Sequence, residues 1–378
     1  MGRRRTLRDN ARLEARFRLR LLPAMAATLA LPAFASRSAA QPSRALQDAT
    51  PGATPAATPV TGDLPVELVA QLTGPGGVSV NDTWEAYGVY GTDLGHTFMY
   101  GDDMYMIFGD TFGIDDSDWR SNVAAVITTD QDPSDGLTFD RMITDEPGHA
   151  KVLIPQDAVE GEEVTIIPTY GIAVGDRLYL HYMQVVFWGP PGQWDLGASG
   201  FAYSDDAGET WTVDPNATWP GDSNFGQVAM ERVDDHIYIF GIPGGRFGGV
   251  NLARVGAELL LDLDAYEYWD GSGWAAEIEA ATTIVPAPVG ELSVRWNEHY
   301  RTWVMMYLNE DLYSIVLRTA DDLTGPWSEE RIVARGSEFP QLYAPYQLPR
   351  WNDGPEIYFT MSMFGPYQVY LMRTRLDG

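Results

Sequence analysis

The 378-residue chain has no cysteine. Disulfide staples, thiolate nucleophiles, thiolate metal sites and a cysteine-linked lipid anchor are therefore excluded, and the core alone must hold the fold. Positive charge is scarce too: 25 Lys and Arg face 53 Asp and Glu, for a formal charge of −28. Nucleic acid and anionic membrane surfaces would be repelled by such a chain, so a neutral or cationic partner is expected, and a neutral polysaccharide fits. The histidines, His96, His149, His181, His236 and His299, show no metal-ligand spacing, and no metal or cofactor is expected. The glycine-rich Gly244-Gly245-Arg246-Phe247-Gly248 lacks the Gly-Lys-Ser/Thr that a phosphate-binding loop requires. Long stretches with the apolar spacing of an amphipathic helix are absent as well.

The first forty residues differ from the rest. They carry nine arginines against Asp9 and Glu14, followed by the apolar stretch Leu21 to Ala35 with Ala33-Phe34-Ala35 as a small-x-small cleavage site. That stretch contains Pro23 and Pro32 and is too short for a membrane span. A signal peptide over 1–35 and secretion to the cell envelope or beyond follow as expectations. Residues 36–63 are rich in Ala, Thr, Pro and Ser, with too few large apolar groups to pack, and read as a disordered linker. The folded domain is expected over 64–378.

From Leu64 onward, short β-branched and aromatic runs alternate with Gly, Pro, Asp and Asn clusters, which predicts an all-β domain. A unit recurs: an inner strand, a polar turn, then a strand marked by Met104-Tyr105, Leu178-Tyr179, Ile237-Tyr238, Thr302-Trp303 or Ile357-Tyr358. The spacing of roughly 55 to 75 residues is that of propeller blades, and the unit count predicts a five-bladed β-propeller. Val66-Glu67-Leu68-Val69-Ala70 could supply the fourth strand of the last blade and close the ring. Ser204-Asp205-Asp206-Ala207-Gly208-Glu209-Thr210-Trp211 fits the S-x-D-x-G-x-T-W Asp-box, so Asp206 is expected to cap a turn rather than to catalyse.

Chemistry is expected at Asp93 and Asp110, which lie at the two ends of one hairpin. If Gly101-Asp102 is a two-residue turn, antiparallel pairing sets 93 opposite 110 on the same side of the sheet. Directly opposed residues have Cβ atoms roughly 4.5–5.5 Å apart, and carboxyls about 5–5.5 Å apart suit a retaining glycosidase. A longer turn would make them diagonal neighbours at roughly 7–8 Å, compatible with inversion, while the plainer alternative has both as turn residues accepting backbone bonds. The start of an inner strand and the end of the returning strand share the channel mouth of a propeller. Aligning the units places Thr169, Gln227, Glu291 and Tyr343 near Asp93, with Arg246 on a returning strand. Tyr170, Trp188 and His181 join them as candidate substrate contacts, with further aromatics at Trp194 and Tyr346; aromatic faces can stack on sugar rings.

The ordered set Thr92-Asp93-Leu94-Gly95, Phe108 to Gly113, Ile167-Pro168-Thr169, the Asp-box, Ala265 to Gly271, Gly290 to Val294, Leu317 to Ala320 and Gly325-Pro326-Trp327 resembles a family first labelled a domain of unknown function and since grouped with endo-D-arabinanases. The resemblance covers the chain after the linker. It implies a five-bladed propeller that hydrolyses internal α-D-arabinofuranose bonds with retention, with the catalytic pair on Asp93 and Asp110. The implied partner is the D-arabinan of arabinogalactan or lipoarabinomannan; a monomer that binds no nucleic acid is expected. The position of Asp93 at an inner-strand start favours it as nucleophile, with Asp110 as acid/base. L-arabinan, fructan and a non-catalytic carbohydrate-binding propeller are the alternatives.

Overall fold

The computed structural model describes residues 63–113, 118–128, 130–155 and 163–377. The expected signal peptide and all of the linker except Asp63 lie outside the described residues. No helix among the described residues is long and apolar enough to cross a membrane.

Five antiparallel sheets follow one another around a ring as a five-bladed propeller. Blade one is built from Gly91–Tyr100, Asp103–Phe112, Val123–Ile127 and Arg141–Met142. Blade two comprises Thr165–Val174, Arg177–Trp188, Trp194–Ser204 and Thr212–Pro220. Blade three starts with Gln227–Val233, His236–Ile242 and Gly248–Gly256, and carries the short outer strands Glu267–Trp269 and Trp274–Ala275. Leu292–Asn297, Thr302–Asn309, Ser314–Ala320 and Arg331–Arg335 form blade four. Blade five takes Leu342–Gln347, Ile357–Met363 and Gln368–Thr374 from the end of the chain and Val66–Gln71 from the start of the domain. Val66 pairs with Thr374 and Glu67 with Arg373, so the expected closing strand is present.

Each sheet is covered on both faces, which is why its middle strands read as apolar runs rather than as an alternation. Val123–Ile127 is buried at every position. Tyr105, Ile107, Leu178, Leu180 and Ala202 form one core between blades one and two. Val304, Met306, Ile315 and Leu317 pack with Ile357, Phe359 and Met361 between blades four and five. Truncating one of the buried Phe residues to Ala would cost about 3–5 kcal/mol.

The Asp-box does what its sequence predicts. Asp206 Oδ1 accepts from Ser204 Oγ at 2.8 Å and Thr210 N at 2.8 Å, and Oδ2 accepts from Thr210 Oγ1 at 2.6 Å. Ala207 and Gly208 take positive φ in the turn, and Trp211 packs into the core shared with blade one.

Candidate active site

The site begins with an irregular hairpin. Tyr100 pairs with Asp103 and His96 with Ile107, as a two-residue Gly101-Asp102 turn demands. The register then slips: Leu94 pairs with Phe108, leaving Gly95 unopposed, and Thr92 pairs with Thr111, leaving Gly109 and Asp110 against Asp93. Two bulges on opposite strands cancel, so the expected register returns at the mouth. Asp93 therefore faces the Gly109-Asp110 step rather than Asp110 alone. Leu94 and Gly95 both adopt left-handed backbone, φ 66 and 83, and such bulges re-aim side chains beside functional sites. A side chain at 109 would displace the Asp93 carboxyl, because a Cβ there would lie 2.5 Å from Asp93 Oδ1 and 3.0 Å from Leu94 Cδ1.

Both aspartates are only partly open to solvent. Tyr343 Oη donates to Asp93 Oδ2 at 2.9 Å, the Tyr367 hydroxyl holds the same carboxyl, and Oδ1 is buried without a partner. Thr165 Oγ1 donates to Asp110 Oδ1 at 2.7 Å, and the Trp119 side chain donates as well. Burial pushes the Asp93 carboxyl up to about 8, helped by the charge of Asp110 and opposed by the two phenols. Burial likewise raises Asp110, to about 6, against the bonds from Thr165 and Trp119. Between those values the pair holds one proton and one negative charge, the condition for one acid and one nucleophile or base in a single site.

Arg246 organises the neighbouring wall. Its Nε donates to Glu291 Oε1 at 2.9 Å, its Nη1 to Glu310 Oε1 at 3.3 Å, and its guanidinium lies 4.9 Å from the centroid of Tyr343 and 5.7 Å from that of Trp194. Burial opposes its charge, but Glu291 overcomes that and holds the guanidinium above its ordinary range. Glu291 Oε2 is buried with no partner. Gln227 Nε2 donates to Gly245 O at 2.8 Å, and Arg246 N to Gly192 O at 2.9 Å, which fixes the arginine loop.

Asp93, Asp110, Arg246, Glu291 and Tyr343 thus come together, with Gln227 as a support of the Arg246 loop rather than a free contact. Tyr170 stacks on His96 at 5.9 Å, meets Tyr346 at 6.5 Å and accepts from Arg295 Nη2 at 3.3 Å. Trp188 stands at the rim, edge-on to Trp194 at 5.6 Å. Thr169 and His181 are engaged elsewhere. They bond each other at 2.7 Å (Oγ1 to Nδ1), Thr169 also accepts from Val228 N, and His181 packs on Phe201 and Trp219. Burial lowers the His181 pKa to about 3, so this imidazole stays neutral.

The inner strand of blade two starts at Thr165, four residues before the expected Thr169, because Pro168 sits at a bulge rather than at a strand start. That displacement hid Thr165. Sequence reasoning also missed Tyr367, Trp119 and Glu310; for Tyr367 and Glu310 the signal was their place just beyond returning strands, by the rule that found Arg246. Among the described residues, no group of three His, Asp or Glu is placed to hold a metal ion.

A family described as "Domain of unknown function (DUF4185)" matches residues 78–373. Notoamide biosynthesis cluster protein J from an Aspergillus species (strain MF297-2) is 29% identical over 304 residues, 73% of this chain and 80% of that protein. Among solved structures, a Bacteroides ovatus ATCC 8483 protein provisionally named a hydrolase is similar at a TM-score of 0.56 and 14% identity, over 77% of this chain and 87% of its own. At that identity the likeness concerns the fold alone. An α-L-arabinofuranosidase from Podospora anserina aligns over 84% of this chain and 98% of its own at 11% identity, but its TM-score of 0.47 is too low to carry weight.

Proposed function

The chain belongs to the DUF4185 family of domains of unknown function, and we propose that it is a secreted glycoside hydrolase that cuts internal α-D-arabinofuranosyl bonds of cell-wall arabinan with retention. One observation carries this reading: two carboxyls meet on a doubly bulged hairpin, both raised by burial, to about 8 and about 6. A structural pair of aspartates would be spaced apart or neutralised by a cation. Here the guanidinium on the neighbouring wall, Arg246, is taken by Glu291 and Glu310.

In the proposed reaction an Asp93 oxygen attacks the anomeric carbon as the bond to the leaving oxygen breaks, and the Asp110 proton passes to that oxygen. Asp110 then takes a proton from water, the water oxygen displaces the sugar from Asp93, and both carboxyls return to their starting states. The step needs the shared proton on Asp110. The phenols of Tyr343 and Tyr367 favour this by stabilising a charged Asp93, whereas the burial of Asp93 favours the reverse.

The test is incubation of the secreted protein with purified D-arabinan, sizing of the fragments and NMR of the first-formed anomer. Oligosaccharides released with retention support the proposal. Release from L-arabinan or fructan instead would reassign the substrate, and binding without release would leave a carbohydrate-binding propeller. The Aspergillus relative is named for a biosynthetic cluster, so a small-molecule substrate is the second reading; inertness towards all three polymers would favour it.

A further inference from the structure

Two large aromatic rings stand exposed beside one turn at one side of the channel mouth: Trp188 at 40% and Phe247 at 47% of full exposure, with the exposed Phe187 preceding Trp188 in its strand. Phe187 and Trp188 end a strand of blade two, and Phe247 closes the arginine loop of blade three. Monomeric proteins seldom leave such rings grouped without a partner. They are tied to the site beneath them. The positive φ of Gly192, together with the absence of a side chain, keeps that turn close to both sides, since a Cβ there would lie 3.0 Å from Phe247 Cε2 and 3.1 Å from Glu310 Oε1. Trp188 leans on Trp194, Trp194 lies under Arg246, and Arg246 covers Tyr343, which bonds Asp93. A second observation points to a ligand: the indole Nε1 of Trp194 is buried without a hydrogen-bond partner, as are Glu291 Oε2 and Asp93 Oδ1 along the same wall. Unpaired buried polar atoms are rare in native proteins and call for an explanation.

Resting on the hydrolase reading, we infer that this shelf is a chain-holding subsite. Trp188 and Phe247 receive the apolar C–H faces of sugar residues beyond the one at the aspartate pair, while the unpaired donor of Trp194 and acceptor of Glu291 meet sugar hydroxyls nearer the reacting bond. A neutral polymer is the occupant this chemistry selects. Its rings offer an apolar face and a hydroxyl edge, and it carries no charge for the acidic chain to repel. The shelf makes cleavage depend on chain length.

The test compares the full chain with the variant Trp188→Ala/Phe247→Ala on polymeric D-arabinan and on an aryl α-D-arabinofuranoside. The ratio of kcat/KM on polymer to kcat/KM on the small glycoside is expected to fall at least tenfold, chiefly through KM, with an unchanged melting temperature. An unchanged ratio overturns the inference. A second measurement separates it from the hydrolase reading: Asp93→Asn protein is titrated with D-arabinan oligosaccharides of increasing length. A gain of affinity with length that disappears when Trp188→Ala/Phe247→Ala is added supports the shelf even if no hydrolysis is ever seen. Affinity that ignores either length or the two rings sinks it.

Discussion

Asp206 and Asp93 are the same residue type beside strand irregularities in neighbouring blades, yet their surroundings push them in opposite directions. Asp206 lies at the outer edge of blade two, where Ser204 and Thr210 supply three hydrogen bonds and lower its pKa. Asp93 lies at the inner edge of blade one with one oxygen unpartnered, a second carboxyl beside it and its pKa raised to about 8. A saturated carboxylate is already committed to the turn it caps. A buried, under-bonded one retains capacity to bind a proton or an anomeric carbon, which is why strongly perturbed acids mark candidate sites.

The contrast is broken most directly by substitution. Asp93→Asn and Asp110→Asn should each reduce turnover on arabinan by about a thousandfold or more, a loss of roughly 4 kcal/mol of transition-state stabilisation. Asp206→Ala should leave turnover within about twofold and lower stability by about 1–2 kcal/mol through its lost turn bonds. Initial rates and urea melts on the three proteins decide this. If the Asp110→Asn protein is folded and retains turnover, Asp110 has no part in the chemistry.

The pH profile sharpens the same comparison. Only the singly protonated pair contains both an acid and a nucleophile. Activity should rise through about pH 6 and fall through about pH 8, following the values for Asp110 and Asp93, with up to tenfold change per pH unit on each limb. A rate flat from pH 5 to pH 9 would show that the two carboxyls are not the titrating groups.

Much of this contrast was legible in the sequence. The Asp-box spelled out its own bonds, Gly101-Asp102 gave the hairpin register from His96 to Ile107, and Val66–Gln71 was recognisable as a strand lacking a neighbour. The two cancelling bulges were not legible, because Leu94 carries no mark of a left-handed backbone and Gly109 is explained only by tertiary contact with Asp93 and Leu94. Thr169 looked like a channel residue by alignment of strand starts, and His181 by its place opposite Tyr170 across a Gly175-Asp176 turn, a pairing the structure has. The bulge at Pro168 turned Thr169 between blades, where its hydroxyl bonds His181 Nδ1. Trp119 is brought to Asp110 by a short strand against the end of the hairpin, a contact that no local pattern announces.

Stability should separate the two aspartates with opposite signs. Asp93 has a folded pKa raised from 3.8 to about 8, so the native protein binds extra protons in that window and loses stability as pH rises through it. Asp93→Asn removes this burden. It should raise stability by a few kcal/mol at pH 8, because a tenfold difference in proton affinity between folded and unfolded chains corresponds to about 1.4 kcal/mol. The advantage should vanish towards pH 4. Asp206, lowered in the folded state, contributes stability that is present above the ordinary carboxyl range and lost as pH falls through its folded value. Denaturant midpoints at pH 4, 6 and 8 test both. Equal midpoints for Asp93→Asn and the parent at pH 8 would mean that Asp93 is not destabilised by burial.

The smallest effect lies in single hydroxyls. Tyr343→Phe removes the 2.9 Å donor to Asp93 Oδ2 while keeping the ring that Arg246 covers, and Tyr367→Phe removes the other phenol. A hydrogen bond to a charged group contributes about 1.5–3 kcal/mol, so each change should slow turnover by roughly ten- to a hundredfold. Because both phenols lower the Asp93 pKa, their loss should also move the alkaline limb of the pH profile upward. Thr210→Val deletes a comparable O–H donor to Asp206, at 2.6 Å, yet should change neither rate nor profile. That pairing separates a donor that tunes a reacting acid from one that only stiffens a turn. A Tyr343→Phe protein with lower stability but an unmoved alkaline limb would place Tyr343 with Thr210, as part of the scaffold.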